Sequence, residues 1–240
     1  MLNFRNLWII GTSHIARESV EEIRHFIKEQ KPDIVAVELD QRRLYALLHN
    51  LKNKVSIGDI GKVGVKGLLF ALFGSWAQKK LGKIVKVEPG SEMKTAVLLA
   101  REVGAKVALI DRDITITLKE FSRRLTWKER FRFVGDIFKF MFFRKREMER
   151  LGIKHLDLTR VPEKKLVKKL IQEMKERYPN VHKVLVADRN KIMAHNISVL
   201  MRHQPDAKIL VVIGAGHQED ILALVKRKIQ LLDKKQSTSI

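Results

Sequence analysis

Four short apolar runs, each tied to a helical period, leave this chain few folds to choose from. Leu7-Trp8-Ile9-Ile10 lies in an expected strand at about 6–11. A helix follows at about 17–30, with Val20, Ile23 and Ile27 spaced by three and four. Pro32-Asp33 ends it, and Ile34-Val35-Ala36-Val37 reads as the next strand. Leu44, Leu47, Leu48 and Leu51 then mark another helix. A turn at Val87–Ser91, with Ser91 as a natural N-cap, opens a helix at 92–103 before a strand from Ala105 to Ile110. The last strand, Ile209 to Ile213, feeds a closing helix to about 232. Strand and helix in alternation predict an α/β fold: a parallel-rich central sheet with helices on both faces. The 240 residues suit one domain, 1–240.

Two stretches do not fit the alternation and read as helical excursions from the sheet. Residues 58–81 are apolar but carry Lys62, Lys66 and five glycines between Gly58 and Gly74. The charge-free run from Gly67 to Gln78 is too short to span a bilayer. It reads as a hairpin of helices, and its 63–77 portion as a surface for homodimerisation. Residues 115–151 read as a basic helical insertion or lid, with Trp127, Phe131, Val134, Ile137, Phe138 and Met141 on one period. Across 119–154 there are 12 Lys and Arg against 5 Asp and Glu. Such a helix lies on anionic lipid, caps a site or packs on protein; its apolar stripe favours packing. A polar helix at 162–177 ends at Pro179. Val184-Leu185-Val186 has β character, yet Val184, Ala187, Ile192, Ala194 and Leu200 fit one long helix better. Residues 233–240 read as a frayed tail.

The chain has no cysteine, which excludes disulfides and thiolate metal sites and points to the cytoplasm. The opening MLNFRNLWII is not a signal peptide. The net charge of +21 implies an anionic partner, either a membrane surface to which the protein is peripheral or, less favoured, nucleic acid.

The chemistry falls at the strand ends. Gly11-Thr12-Ser13-His14 follows the first strand, and Gly214-Ala215-Gly216-His217 follows the last. Glu38 ends the second strand and Asp111 the third. In an open parallel sheet all four stand at the carboxyl edge, where such folds bind ligands. One histidine after a strand is usually structural; two at matching places, beside a carboxylate, suggest a site. Two His and one Glu with an open position suit a divalent ion, and a His beside Glu suits a general base. Cobalt, manganese, zinc and iron all accept such ligands. The bland readings are a salt bridge from Glu38 to Arg42 or Arg43, and an Asp111 that caps the next helix. Glycine after a strand lets the backbone turn and approach a neighbour closely.

These residues carry a resemblance. GTSHIARESVEEI, PDIVAVELDQRRL, PGSEMKTAVLLAREVGAKVALIDRDITITLKE, VLVADRNKIMAHNI and VVIGAGHQEDI resemble the TraB/PrgY domain, grouped with GumN and Tiki proteins and distantly with erythromycin esterases. The resemblance implies a metal-dependent hydrolase acting on peptides, Tiki-like as a protease or PrgY-like in pheromone shutdown. It implies His14, Glu38 and His217 as metal or catalytic residues, with Glu92 assisting as an acid–base or supporting group. Arg43, Arg112 and Arg189 would bind substrate, alongside Asp111. Two departures stand out. Asp188-Arg189-Asn190 replaces the family's Glu-Arg-Asp, and Gln218-Glu219-Asp220 follows Gly216-His217 where the family has a small apolar residue and then glycine. Many microbial relatives also carry a membrane region after this domain. The competing expectation is a non-catalytic protein that holds a peptide or anion at the same edge and docks through its basic face.

Overall fold

The computed structural model describes residues 1–12, 17–49, 51, 90–143, 146, 149–150 and 164–237. Its strands are β1 (Leu2–Phe4), β2 (Leu7–Thr12), β3 (Ile34–Val37), β4 (Lys106–Leu109) and β5 (Ile209–Gly214). They form one sheet in the order β1-β2-β5-β3-β4. β2, β5, β3 and β4 are mutually parallel, and β1 pairs antiparallel with β2 at the edge. The α/β expectation therefore holds. The β1 hairpin escaped the pattern because the strand is three residues long and its turn relies on Arg5 at φ 53. Asn6 secures that turn, donating through Nδ2 to the Ala207 carbonyl at 2.8 Å.

The helices are α1 (Arg17–Gln30), α2 (Gln41–Leu48), α3 (Ser91–Glu102), α4 (Ile114–Arg124), α5 (Trp127–Phe142) and α6 (Lys164–Arg177). Pro179–His182, a π-helical turn Lys183–Ala187 and Asp188–His203 run on as one long helix, α7. The last is α8 (Gln218–Ser237). The helical reading of 184–200 matches the structure, where helix runs through all of these residues.

Connection handedness explains the two layers. The steps from β2 through α1 to β3, and through α3 to β4, move one way across the sheet; the step through α7 to β5 moves back. Right-handed crossovers then put α1 and α3 on one face and α7 on the other. Successive β5 residues alternate between them. Leu210 and Val212 join Ile23, Ile27, Ala96 and Val97 on the first face. Ile209, Val211 and Ile213 join Met193, Ile197, Ile221 and Val225 on the second. Every residue of β3 and β5 is buried, which is why these strands read as continuous apolar runs rather than alternating ones. Each such aliphatic side chain contributes about 1.5–3 kcal/mol by its burial.

Several local expectations give way. The basic stretch is not one helix: Leu125 and Thr126 separate α4 from α5, and Thr126 forms a capping box with Glu129. Trp127 and Phe131 stack on each other at 6.1 Å and are 68% and 71% exposed, so this part of the stripe is not packed in the protein. Polar contacts also hold α5, with Asp136 taking Arg177 and the Tyr178 hydroxyl, the latter at 2.6 Å, beside the Phe133 ring edge-on to Tyr178. The side chains of Val134, Ile137, Phe138 and Met141 lie outside the description. The N-cap of α3 is Gly90 at φ 86, and Ser91 is the first helical residue. Asp113, not Asp111, caps α4, accepting from the Thr115 N–H at 2.7 Å. The closing helix continues through Ser237, past the expected fraying point. Residues 58–81, with the proposed dimer surface at 63–77, lie outside the described residues. Among the described residues no helix is long and apolar enough to cross a membrane.

Candidate functional site

Glu38 leaves β3 while the ladder is still paired. Its N–H donates to the Val212 carbonyl at 3.1 Å, and its Oε2 accepts from the Gly214 N–H at 2.7 Å. The carboxylate thus closes the end of β5, and its residue is only 5% exposed. Asp111, just past β4, is buried as well. It accepts from Arg43 Nη2 at 2.6 Å, from Arg189 Nη2 at 2.6 Å and from its neighbour's N–H, that of Arg112, at 2.8 Å.

Arg189 joins these two strand ends from α7. It donates through Nη2 to Glu38 Oε1 as well as to Asp111, and through Nη1 to the Leu185 carbonyl at 3.2 Å. Burial works against its charge, but the attraction of Glu38 and the bonds to Asp111 outweigh that and hold its proton more tightly than usual. The π turn just before it also has a local consequence. The Asp188 N–H reaches back to the Lys183 carbonyl, five residues away. The Val184 carbonyl then accepts from Arg112 Nη2 at 3.1 Å, while Arg112 Nε donates to Thr117 Oγ1 at 2.9 Å. Burial lowers the Arg112 pKa, with Asp188 and Asp111 offsetting only part of that loss.

His217 stands in the turn that opens α8; its carbonyl accepts from the Ile221 N–H at 2.9 Å. Its Nδ1 lies 2.5 Å from Asn190 Oδ1, and its Nε2 lies 3.6 Å from Glu38 Oε1. Asn190 Nδ2 donates onward to Asp220 Oδ2 at 3.3 Å. The two Gly-x-x-His units touch each other here. Gln218 Nε2 donates to the Ile9 carbonyl at 2.9 Å, and a Cβ on Gly11 would sit 2.6 Å from Gln218 Oε1. Gly11 is therefore small so that the first turn of α8 can lie against β2.

Three of the four expected edge residues, Glu38, Asp111 and His217, converge in the structure. His14 lies outside the described residues. The strand leading to it ends at Thr12, opposite Gly214, so the chain leaves β2 at the same edge. Glu92 is buried in the first turn of α3. A helix that feeds β4 runs back along the sheet, so that turn also lies toward the carboxyl edge. Arg43 holds Asp40 at 2.7 Å and Asp111 at 2.6 Å, so the groups the three arginines grip belong to the protein itself: carboxylates, carbonyls and the Thr117 hydroxyl. Glu38 pairs with Arg189, not with Arg42 or Arg43. Sequence reasoning missed the parts played by Asp40, Asn190 and Asp220. The last two are departures from the family's pattern, and they bond to each other.

Among the described residues no group of three or more His, Asp and Glu is placed to hold a metal ion. Both oxygens of Glu38 already accept, Oε1 from Arg189 and Oε2 from the Gly214 N–H, and only the separation of the two described members of the expected ligand set matches what one ion would require. Two ligands at about 2.1 Å in tetrahedral geometry stand about 3.4 Å apart, close to the 3.6 Å between His217 Nε2 and Glu38 Oε1.

Fold and site together define an α/β protein with a covered, mostly parallel sheet and a histidine–carboxylate site at its carboxyl edge. The chain matches the TraB/PrgY/gumN family over residues 3–229 and belongs to that family. It is 32% identical, over 94% of its length, to an uncharacterized protein of Methanocaldococcus jannaschii, and covers 55% of that protein. It is 24% identical to the TraB domain-containing proteins of Mus musculus and Homo sapiens, over 88% of this chain and 60% of each relative. The chain thus spans little more than half the length of the curated relatives it matches.

Proposed function

We propose that this protein is a metal-dependent hydrolase acting on peptides, with His14, Glu38 and His217 holding the ion. The observation that carries this is the facing of His217 Nε2 and Glu38 Oε1 across 3.6 Å, at the edge where parallel sheets bind ligands. Bound there, a manganese, cobalt or zinc ion would polarise a peptide carbonyl and lower the pKa of water.

The chain's own residues prepare that edge. Gly214 N–H and Arg189 fix the two oxygens of Glu38, so its rotamer is set before any ligand arrives. Asn190 fixes the plane of the His217 ring. Arg43 and Arg189 hold Asp111 in place, and Asp111 in turn keeps the Arg189 guanidinium against Glu38. In this reading Arg43 and Arg189 act by positioning carboxylates rather than by gripping substrate, and Glu92 assists as an acid–base group from the first turn of α3.

The test is peptide cleavage by metal-stripped protein given manganese, cobalt or zinc in turn, with fragments of a peptide mixture identified by mass spectrometry. Metal-dependent cleavage that is lost in His217→Ala and in Glu38→Gln supports the hydrolase. Peptide binding with no cleavage under any of the three metals would replace it with the non-catalytic reading.

A further inference from the structure

Both acids of α5 are engaged in holding it to α6 and α7. Glu129, 3% exposed, accepts from the Asn180 N–H at 2.8 Å, and Asp136 takes Arg177 and Tyr178. Away from these contacts the helix presents Trp127 and Phe131, one turn apart and both largely exposed. Phe142, about three turns further on, follows on the same side and is 69% exposed. By the helical period Lys128 and Lys139 flank this ridge on one side and Arg130 on the other. The two lysines are exposed, and the Arg130 guanidinium sits 4.2 Å from the centroid of the Trp127 ring. The charges that α5 leaves at its outer surface are therefore of one sign.

An aromatic ridge between cations matches the boundary layer of a bilayer with anionic headgroups. Indole and phenyl rings settle at that depth, and the long stems of Lys and Arg let their charged ends reach phosphate. The net charge of +21 attracts the same surface over a longer range. A second copy docked on this ridge would bring Lys128, Arg130 and Lys139 against their own like. Nucleic acid shares the charge but needs open ring faces, and Trp127 is already stacked with Phe131 and under Arg130. We infer that the Trp127–Phe131 ridge of α5 is a docking surface for an anionic membrane, with Lys128, Arg130 and Lys139 at the headgroups. This goes beyond the hydrolase reading and does not depend on it.

The experiment is flotation of the full chain with vesicles of phosphatidylcholine, alone or mixed with phosphatidylglycerol. Binding is expected to the mixed vesicles only, and should fade as salt rises toward ~1 M, where charges act over about 3 Å. Trp127→Ala with Phe131→Ala should weaken the partition about tenfold or more. Lys128→Ala with Lys139→Ala should weaken it about tenfold at low salt. Arg24→Ala with Lys28→Ala removes the same charge from exposed positions on α1, across the sheet, and should change little. All of these side chains are exposed, so each variant should keep its thermal midpoint. A fluorophore on Phe131→Cys, in a chain with no other cysteine, reads the contact without comparing affinities. It should shift to the blue on mixed vesicles, while one on Arg24→Cys should not. No flotation with mixed vesicles, equal flotation with both kinds, an equal fall in the α1 variant, wild-type partition in the aromatic variant or an unshifted label at 131 would each overturn the inference. So would an oligonucleotide complex or a dimer that the aromatic variant loses while it still floats, since either gives the ridge another occupant.

Discussion

Arg189 Nη2 stands 2.6 Å from Asp111 Oδ2 and donates to Glu38 as well, so one guanidinium ties the end of β3 to the end of β4. The side chains of Glu38 and Asp111 are 5% and 1% exposed, and their charges cannot be left to water. Removing one partner of such a group strands the rest. Arg189→Ala should cost about 3–5 kcal/mol in urea unfolding. Arg189→Lys should recover only part of this, because an ammonium cannot repeat the fork that Nε and Nη2 form on Asp111. A loss below about 1 kcal/mol for Arg189→Ala would show the network to be dispensable.

The close approach at Gly11 yields a second expectation. A Cβ there would lie 2.6 Å from Gln218 Oε1 and 3.1 Å from Ala215 Cα. The glutamine end can swing away, at the cost of its bond to Ile9, but the Ala215 backbone must also shift. Gly11→Ala should therefore destabilise by about 1–3 kcal/mol, and the shift should reach His217, which follows Ala215 by two residues. Thermal unfolding reads the first effect and the His217 NMR signals read the second. Unchanged values for both would mean that Gly11 is not small for the sake of α8.

Acid should loosen the packing of α5 on α6 and α7. Burial pushes the Asp136 and Glu129 carboxyls up, but the donors around them outweigh it. Tyr178 and Arg177 act on Asp136, Thr126 and Asn180 on Glu129, and both pKa values fall below their ordinary range. A lowered folded-state pKa gives stability that is present above the unfolded value and is lost as pH falls through the folded one. The thermal midpoint should thus drop on the acid side of the ordinary carboxylate range. Asp136→Asn with Glu129→Gln should be less stable at neutral pH and converge with wild type in acid. Two parallel curves would exclude these carboxylates as the source.

What the residues revealed in advance was set by geometry that repeats. β3 and β5 are buried on both faces, so their runs are unbroken, and each is followed within three residues by an edge residue, Glu38 or His217. Parallel pairing then forces those residues together whatever lies between them in the chain. Arg189 carries no such signal. It sits on α7, and only packing decides that its guanidinium reaches two strand ends. The π turn before it is likewise invisible, since Val184-Leu185-Val186 has β character and nothing in Lys183–Ala187 distinguishes a π turn from an α-helical one. Asn190 and Asp220 were visible as oddities but not as a pair, because their bond joins two helices 30 residues apart.

Whether Glu38 and His217 hold one ion between them is read most directly by calorimetric titration of manganese, cobalt or zinc into metal-stripped protein. Wild type should bind a single ion per chain. Glu38→Gln and His217→Ala should each weaken that binding about a hundredfold or more, while His195→Ala, an exposed position on α7, should leave it unchanged. Equal affinities in wild type and both site variants, or no binding by wild type, would contradict a shared metal site at this edge.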